Sequence, residues 1–155
     1  MREILFRGKT EQGEWVYGVY YKQDHYYNEK VEKHCIITST DTLGNDMDLD
    51  FCDVIPETIG QFTGLTDKNG KKIFEGDIVK VVYTEKRDFR GVKYDDEFEM
   101  IETVIYDEKH ACFMLKINNE GITMFRPLCD FESNVRIKSI EIISNIYDNK
   151  ELLGE

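Results

Sequence analysis

Along most of the chain, apolar residues come in short runs that alternate with polar positions or stop at glycine and Asx residues. This is the period-two signature of β-strands joined by tight turns. The densest example runs from Val54 to Lys80, V-I-P-E-T-I-G-Q-F-T-G-L-T-D-K-N-G-K-K-I-F-E-G-D-I-V-K. Within it, Thr66-Asp67-Lys68-Asn69-Gly70 ends in Asn-Gly, the pair that most readily takes positive φ, and predicts a chain reversal. Glu75-Gly76-Asp77 predicts a second turn. Ile78 to Tyr83, broken only by Lys80, then predicts a central strand buried on much of both faces. The spacing of Gly60, Gly64, Gly70 and Gly76 does not gather amides at one helix N-terminus, so these are turn glycines rather than a phosphate loop.

Upstream, Ile4 to Gly8 predicts a short strand and Thr10 to Gly13 the turn after it. In E-W-V-Y-G-V-Y-Y-K, Glu14 to Lys22, alternation places Trp15, Tyr17, Val19 and Tyr21 on one face and Val16, Gly18 and Tyr20 on the other. Such aromatics either fill a core or form a surface on which a partner stacks. The core is the preferred reading, and Trp15, Tyr17, Tyr20 and Tyr21 are the candidate binding residues otherwise. Tyr26 and Tyr27 prolong the segment, and Val31 to Thr40 predicts a further strand. In N-D-M-D-L-D-F-C-D, Asn45 to Asp53, alternation predicts a strand with aspartates facing water and Met47, Leu49 and Phe51 facing inward.

Downstream, Thr84 to Met100 is dense in charge, and Gly91 predicts the turn of a protruding hairpin with opposite charges facing across it. Glu102 to Asp107, Ala111 to Ile117 and Ile122 to Phe125 predict a meander, its second turn at Asn118 to Gly121. Arg136 to Ser144 predicts the last strand. A single helical turn from Asn149 would be anchored by Leu152 and Leu153. The fold class expected is mainly β with minor α.

At 155 residues the chain has the length of one domain. No apolar run approaches the roughly 20 residues of a membrane span, and M-R-E-I-L-F-R is too charged for a secretory signal. A cytosolic protein with no membrane partner is expected. The 31 acidic against 20 basic residues give a net charge of −11, the wrong sign for a general nucleic-acid binder, so that partner is not expected. Cys35, Cys52, Cys112 and Cys129 are dispersed, suggesting neither a zinc knuckle nor a disulfide framework but small apolar side chains.

Candidate chemistry is sparse. Asp46, Asp48, Asp50 and Glu57 fall on ligand positions of a calcium loop, but Phe51 stands where the loop requires glycine, and Pro56 follows. His110 and Cys112 would share a face of an extended segment, the minimum for an imidazole-activated thiol. An oxyanion donor and an orienting acceptor are not visible. No nucleotide glycine motif or zinc-deaminase pattern occurs. Catalytic residues, metal and cofactor are therefore all assigned as none. Two surface arrangements remain: a basic groove around Lys68, Lys71, Lys72 and Lys80, and an imitation of nucleic acid by Asp46, Asp48, Asp50, Asp95, Asp96, Glu97 and Glu99.

Residues 55–79 resemble the signature of the YopX proteins of phages and prophages. R-E-I-L-F-R-G at Arg2 to Gly8, W-V-Y-G at Trp15 to Gly18 and I-E-I-I-S-N-I-Y-D-N-K-E-L-L at residues 140–153 extend the resemblance over nearly the whole chain. Ser144 and Lys150 stand where the family has Gly and Pro. The resemblance implies a predominantly β protein of the bacterial host cytosol that self-associates, and it carries over no activity. The organisation expected is a single YopX-like domain, 1–155, with a small Src-homology-like β-barrel core at 54–148 and an N-terminal β extension at 1–53. The function expected is a non-enzymatic module that binds copies of itself or a host or phage protein. The alternative is a nucleic-acid-handling factor or a cysteine-dependent enzyme.

Overall fold

The computed structural model describes residues 3–26, 29–39, 49–119, 122–128 and 135–153, and most of them are in β-strands. The chain divides into two compact units, residues 1–64 and 65–155.

The first unit contains β1 (Phe6–Lys9), β2 (Trp15–Tyr26), β3 (Glu29–Ser39), β4 (Leu49–Asp53), a 3-10 turn at Pro56–Thr58 and the start of β5 (Gly60–Thr66). These strands form an antiparallel sheet in the order β4-β3-β2-β1-β5. The β1–β2 turn closes where predicted: the Thr10 amide donates to the Glu14 carbonyl at 2.9 Å, and Gly13 supplies φ +88°. Gly18 is the tightest point of the sheet. A Cβ there would lie 2.0 Å from the Ile37 carbonyl oxygen, so only glycine lets β3 come this close. Thr58 locks the 3-10 turn to β1, its Oγ1 accepting from the Lys9 amide at 2.8 Å and donating to the Ile55 carbonyl at 2.7 Å.

The second unit holds β6 (Lys72–Phe74), β7 (Asp77–Phe89), β8 (Val92–Asp107), β9 (Cys112–Asn119), β10 (Ile122–Pro127), β11 (Val135–Asn145) and a terminal 3-10 turn (Lys150–Leu153). Its antiparallel order is β10-β9-β8-β7-β11, so β7 has neighbours on both sides, as the run Ile78 to Tyr83 predicts. Ile78, Val79, Val81 and Tyr83 are buried accordingly. Ile73, Val79, Val81, Tyr83, Val104, Leu115 and Leu128 form the core. The Asn-Gly turn is built around Asp67, whose carboxylate accepts the amides of Asn69, Lys71 and Ile142 at 2.8, 2.9 and 3.2 Å. The long β7–β8 hairpin reverses at Arg90 and Gly91, both at positive φ, the primed-turn geometry that matches strand twist.

The β class holds, and among the described residues the sheets are not closed into a barrel. Two expectations are corrected. Leu49 and Phe51 of β4 are exposed rather than turned inward. The terminal turn is not anchored by Leu152, which is exposed and whose amide donates to the Asn149 carbonyl at 3.3 Å; Asn145 Oδ1 closes the preceding turn by accepting the Tyr147 and Asp148 amides at 3.0 Å each. Tyr27, Asp46, Met47, Asp48, the Glu120–Gly121 turn tip and Cys129 lie outside the described residues, and with them half of the calcium-loop pattern.

Candidate functional site

The four aromatic residues singled out on β2 have different fates. Cross-strand register makes a continuous row, Val19 opposite Ile37 on β3 and Ile37 opposite Phe51 on β4. The row faces water: Val19 is 59% and Phe51 53% exposed. Tyr17 and Tyr21 extend it along β2, and the Tyr21 ring meets Phe51 edge-on with centroids 6.0 Å apart. For these residues the core reading was wrong, because alternation defines two faces but only one is covered. Trp15 shares the face but is half-buried, with the Arg7 guanidinium 4.7 Å from its ring centroid and the Lys9 ammonium at 5.9 Å. Tyr20 belongs to the other face. It packs on Phe6, and its hydroxyl lies 2.7 Å from His34 Nδ1.

Cys35 lies one row along. Its thiol donates to Asp53 at 3.1 Å, and burial, with that hydrogen bond, pushes its pKa up to about 11. The same contact holds Asp53 below the ordinary carboxylate range. A thiol so held is a poor nucleophile at neutral pH.

The second unit contains a group that sequence reasoning missed. Glu102 of β8 is 0% exposed in the apolar core face. The Tyr83 hydroxyl lies 2.8 and 2.9 Å from its two carboxylate oxygens, and the Arg126 guanidinium lies 5.0 Å from the Tyr83 ring centroid. Burial raises the Glu102 pKa, opposed in part by the Tyr83 hydrogen bond and the Arg126 charge. Burial likewise raises Tyr83, followed by the charge of Glu102. In sequence, Glu102 is one more acid in a charged stretch, and only its even spacing from Met100 and Val104 hints that it faces inward. Glu102 and Tyr83 are sealed from solvent, while Arg126 stands half-buried at the edge of the cluster.

The remaining candidates separate. His110 sits on the exposed β8–β9 turn with its Nδ1 bonded to Asp107, which supplies an orienting acceptor and lowers the Asp107 pKa. No hydrogen bond joins this histidine to Cys112. Lys68 and Lys80 of the basic groove are tied to Glu141 and Glu99 at 2.6 Å each. Of the acidic set, Asp96 and Glu97 bridge to Arg87 and Lys138, which breaks up any field of one sign. Among the described residues no group of three or more His, Cys, Asp and Glu is placed to hold a metal, and no helix is long and apolar enough to cross a membrane.

These features define a mainly β protein of open antiparallel sheets with an uncovered aromatic face and a sealed carboxylate. The family model described as YopX protein matches residues 5–154, and the chain belongs to that family. It is similar in fold to the crystal structure of protein EF1440 from Enterococcus faecalis, with a TM-score of 0.51 and 21% identity over 99% of each chain. A comparison with curated proteins returns no match.

Proposed function

We propose that this YopX protein is a non-enzymatic interaction module, a phage or prophage product acting in the bacterial cytosol, and that the outward face of β2–β4 receives another polypeptide. The supporting observation is the row Val19, Ile37 and Phe51, in which Val19 and Phe51 are exposed and Ile37 is half-buried between them, bordered by Tyr17, Tyr21 and Leu49. Contiguous apolar surface of this kind marks an interface rather than a solvated face. The first partner is a second copy of the chain. Among the described residues β4 is the outermost strand of its sheet, with one edge unpaired. If L-D-F-C-D pairs antiparallel with itself about Phe51, Asp50 meets Cys52 and Leu49 meets Asp53, so no carboxylate faces a carboxylate.

Sedimentation velocity tests this. The wild type sediments above its 18.3 kDa monomer mass, and Val19→Asp with Phe51→Asp returns it to monomer without changing its circular dichroism. A wild type that stays monomeric at every concentration tried, and that the double variant matches, would refute the self-pairing.

A further inference from the structure

Among the described residues Glu85 is the last of β7 paired with β11, and past it β7 pairs with β8 as far as the Arg90–Gly91 turn. Register puts Arg87 opposite Tyr94 and Phe89 opposite Val92, and alternation brings all four to one side. Phe89 and Val92 are 62% and 66% exposed, and Tyr94 is exposed beside them. The Arg90 guanidinium lies 5.3 Å from the Phe89 ring centroid. On the other side Lys86 faces Asp95 and Lys93 faces Asp88. From Lys86 to its cross-strand neighbour Asp95, four cations stand against two carboxylates, Asp95 and Asp88, and Asp88 accepts the Gly91 amide at 2.9 Å. Glu85 and Asp96 neutralise Arg87, at 2.8 and 3.5 Å. Lys86, Arg90 and Lys93 have no carboxylate within ion-pair distance among the described residues. An open cleft of about 570 Å³ is bordered by Lys86, Arg87, Asp88, Lys93, Tyr94 and Asp95.

We propose that this ribbon tip binds single-stranded nucleic acid, with bases stacking on Phe89 and Tyr94, phosphates held first by Arg90 at the turn, and Lys86 and Lys93 adding positive charge from the opposite side. Diagonal neighbours on paired strands stand about 7–8 Å apart, so the two rings are separate platforms for two unstacked bases. Stacking of this kind tolerates any base, because each has a π-face. A duplex keeps its bases inside and offers the tip only phosphates. A lipid surface is disfavoured by residue order: charged Arg90 stands at the turn, ahead of Phe89 and Val92, and would enter hydrocarbon first. The net charge of −11 does not veto the site. A strand advances roughly 3.3 Å per residue, which carries Phe89 about 13 Å past Glu85, beyond the screening length of about 8 Å at physiological salt.

The test is fluorescence anisotropy of a labelled oligothymidylate with the full chain at rising salt. Phe89→Ala and Tyr94→Ala each weaken binding about fivefold or more. Joint replacement of Lys86, Arg90 and Lys93 by Gln flattens the slope of log affinity against log salt by about 2. All variants keep the wild-type melting temperature, and a duplex of equal length binds more weakly. No binding at low salt, unaltered affinity without the rings, or preference for duplex would overturn the proposal. So would co-sedimentation with phosphatidylserine vesicles while the oligonucleotide stays free.

Discussion

Replacing Glu102 by Gln probes the sealed carboxylate directly, because it removes the ionisation while keeping a side chain that accepts from Tyr83. Burial raises the folded-state pKa of Glu102 above its unfolded value, so the unfolded chain ionises first. Stability linked to this group is therefore full below the ordinary glutamate range and declines as pH rises through the folded pKa. Urea titrations at pH 5 and pH 8 should show the wild type losing stability relative to Glu102→Gln as pH rises. Tyr83→Phe gives the complementary result. It removes a hydroxyl 2.8 and 2.9 Å from the carboxylate oxygens. A hydrogen bond to a charged group contributes about 1.5–3 kcal/mol, so the variant should lose about 2 kcal/mol at neutral pH and less in acid, where the acid is neutral. In the background of Glu102→Gln the Tyr83→Phe cost should be smaller and independent of pH. Parallel stability curves for wild type and Glu102→Gln across this range would refute the argument that the group ionises reluctantly.

Gly18→Ala should destabilise the first unit by about 3 kcal/mol, the upper part of the overpacking range, because the obstacle 2.0 Å away is the Ile37 backbone. Melting followed by Trp15 fluorescence reports it, and an unchanged midpoint would contradict the close approach. Asp67→Ala should cost about 2 kcal/mol in urea, since three amides lose their acceptor. Burial alone would raise the Asp67 pKa, but the amides of Lys71, Ile142 and Asn69 together hold it below the ordinary value. Its stabilisation is thus present above the unfolded pKa and lost as pH falls through the folded one, opposite in sign to Glu102.

The elements written in local chemistry were legible beforehand. The turns at Asn69–Gly70 and Gly91 follow from which residues accept positive φ, and both carry it or sit beside it in the fold. The central place of Ile78 to Tyr83 follows from a run too apolar to face water on either side. The candidate site was half legible: alternation grouped Trp15, Tyr17, Val19 and Tyr21, yet whether that face is covered depends on what packs against it. Tyr20 binding to His34, and Arg7 lying over Trp15, join residues 14 and 8 positions apart through strand pairing that no local window contains.

Sequence alone determined that this chain is built of strands, where most of them turn, and the family to which it belongs, because period, turn chemistry and signature residues are properties of neighbours. Tertiary structure decided the rest. It left Val19 and Phe51 in water and placed Glu102 out of it. It also tied Lys68 and Lys80 to carboxylates while leaving Lys86, Arg90 and Lys93 at a ribbon tip without one. Exposure and ion pairing depend on which distant strands meet, and alternation specifies that a strand has two sides without saying which side is covered.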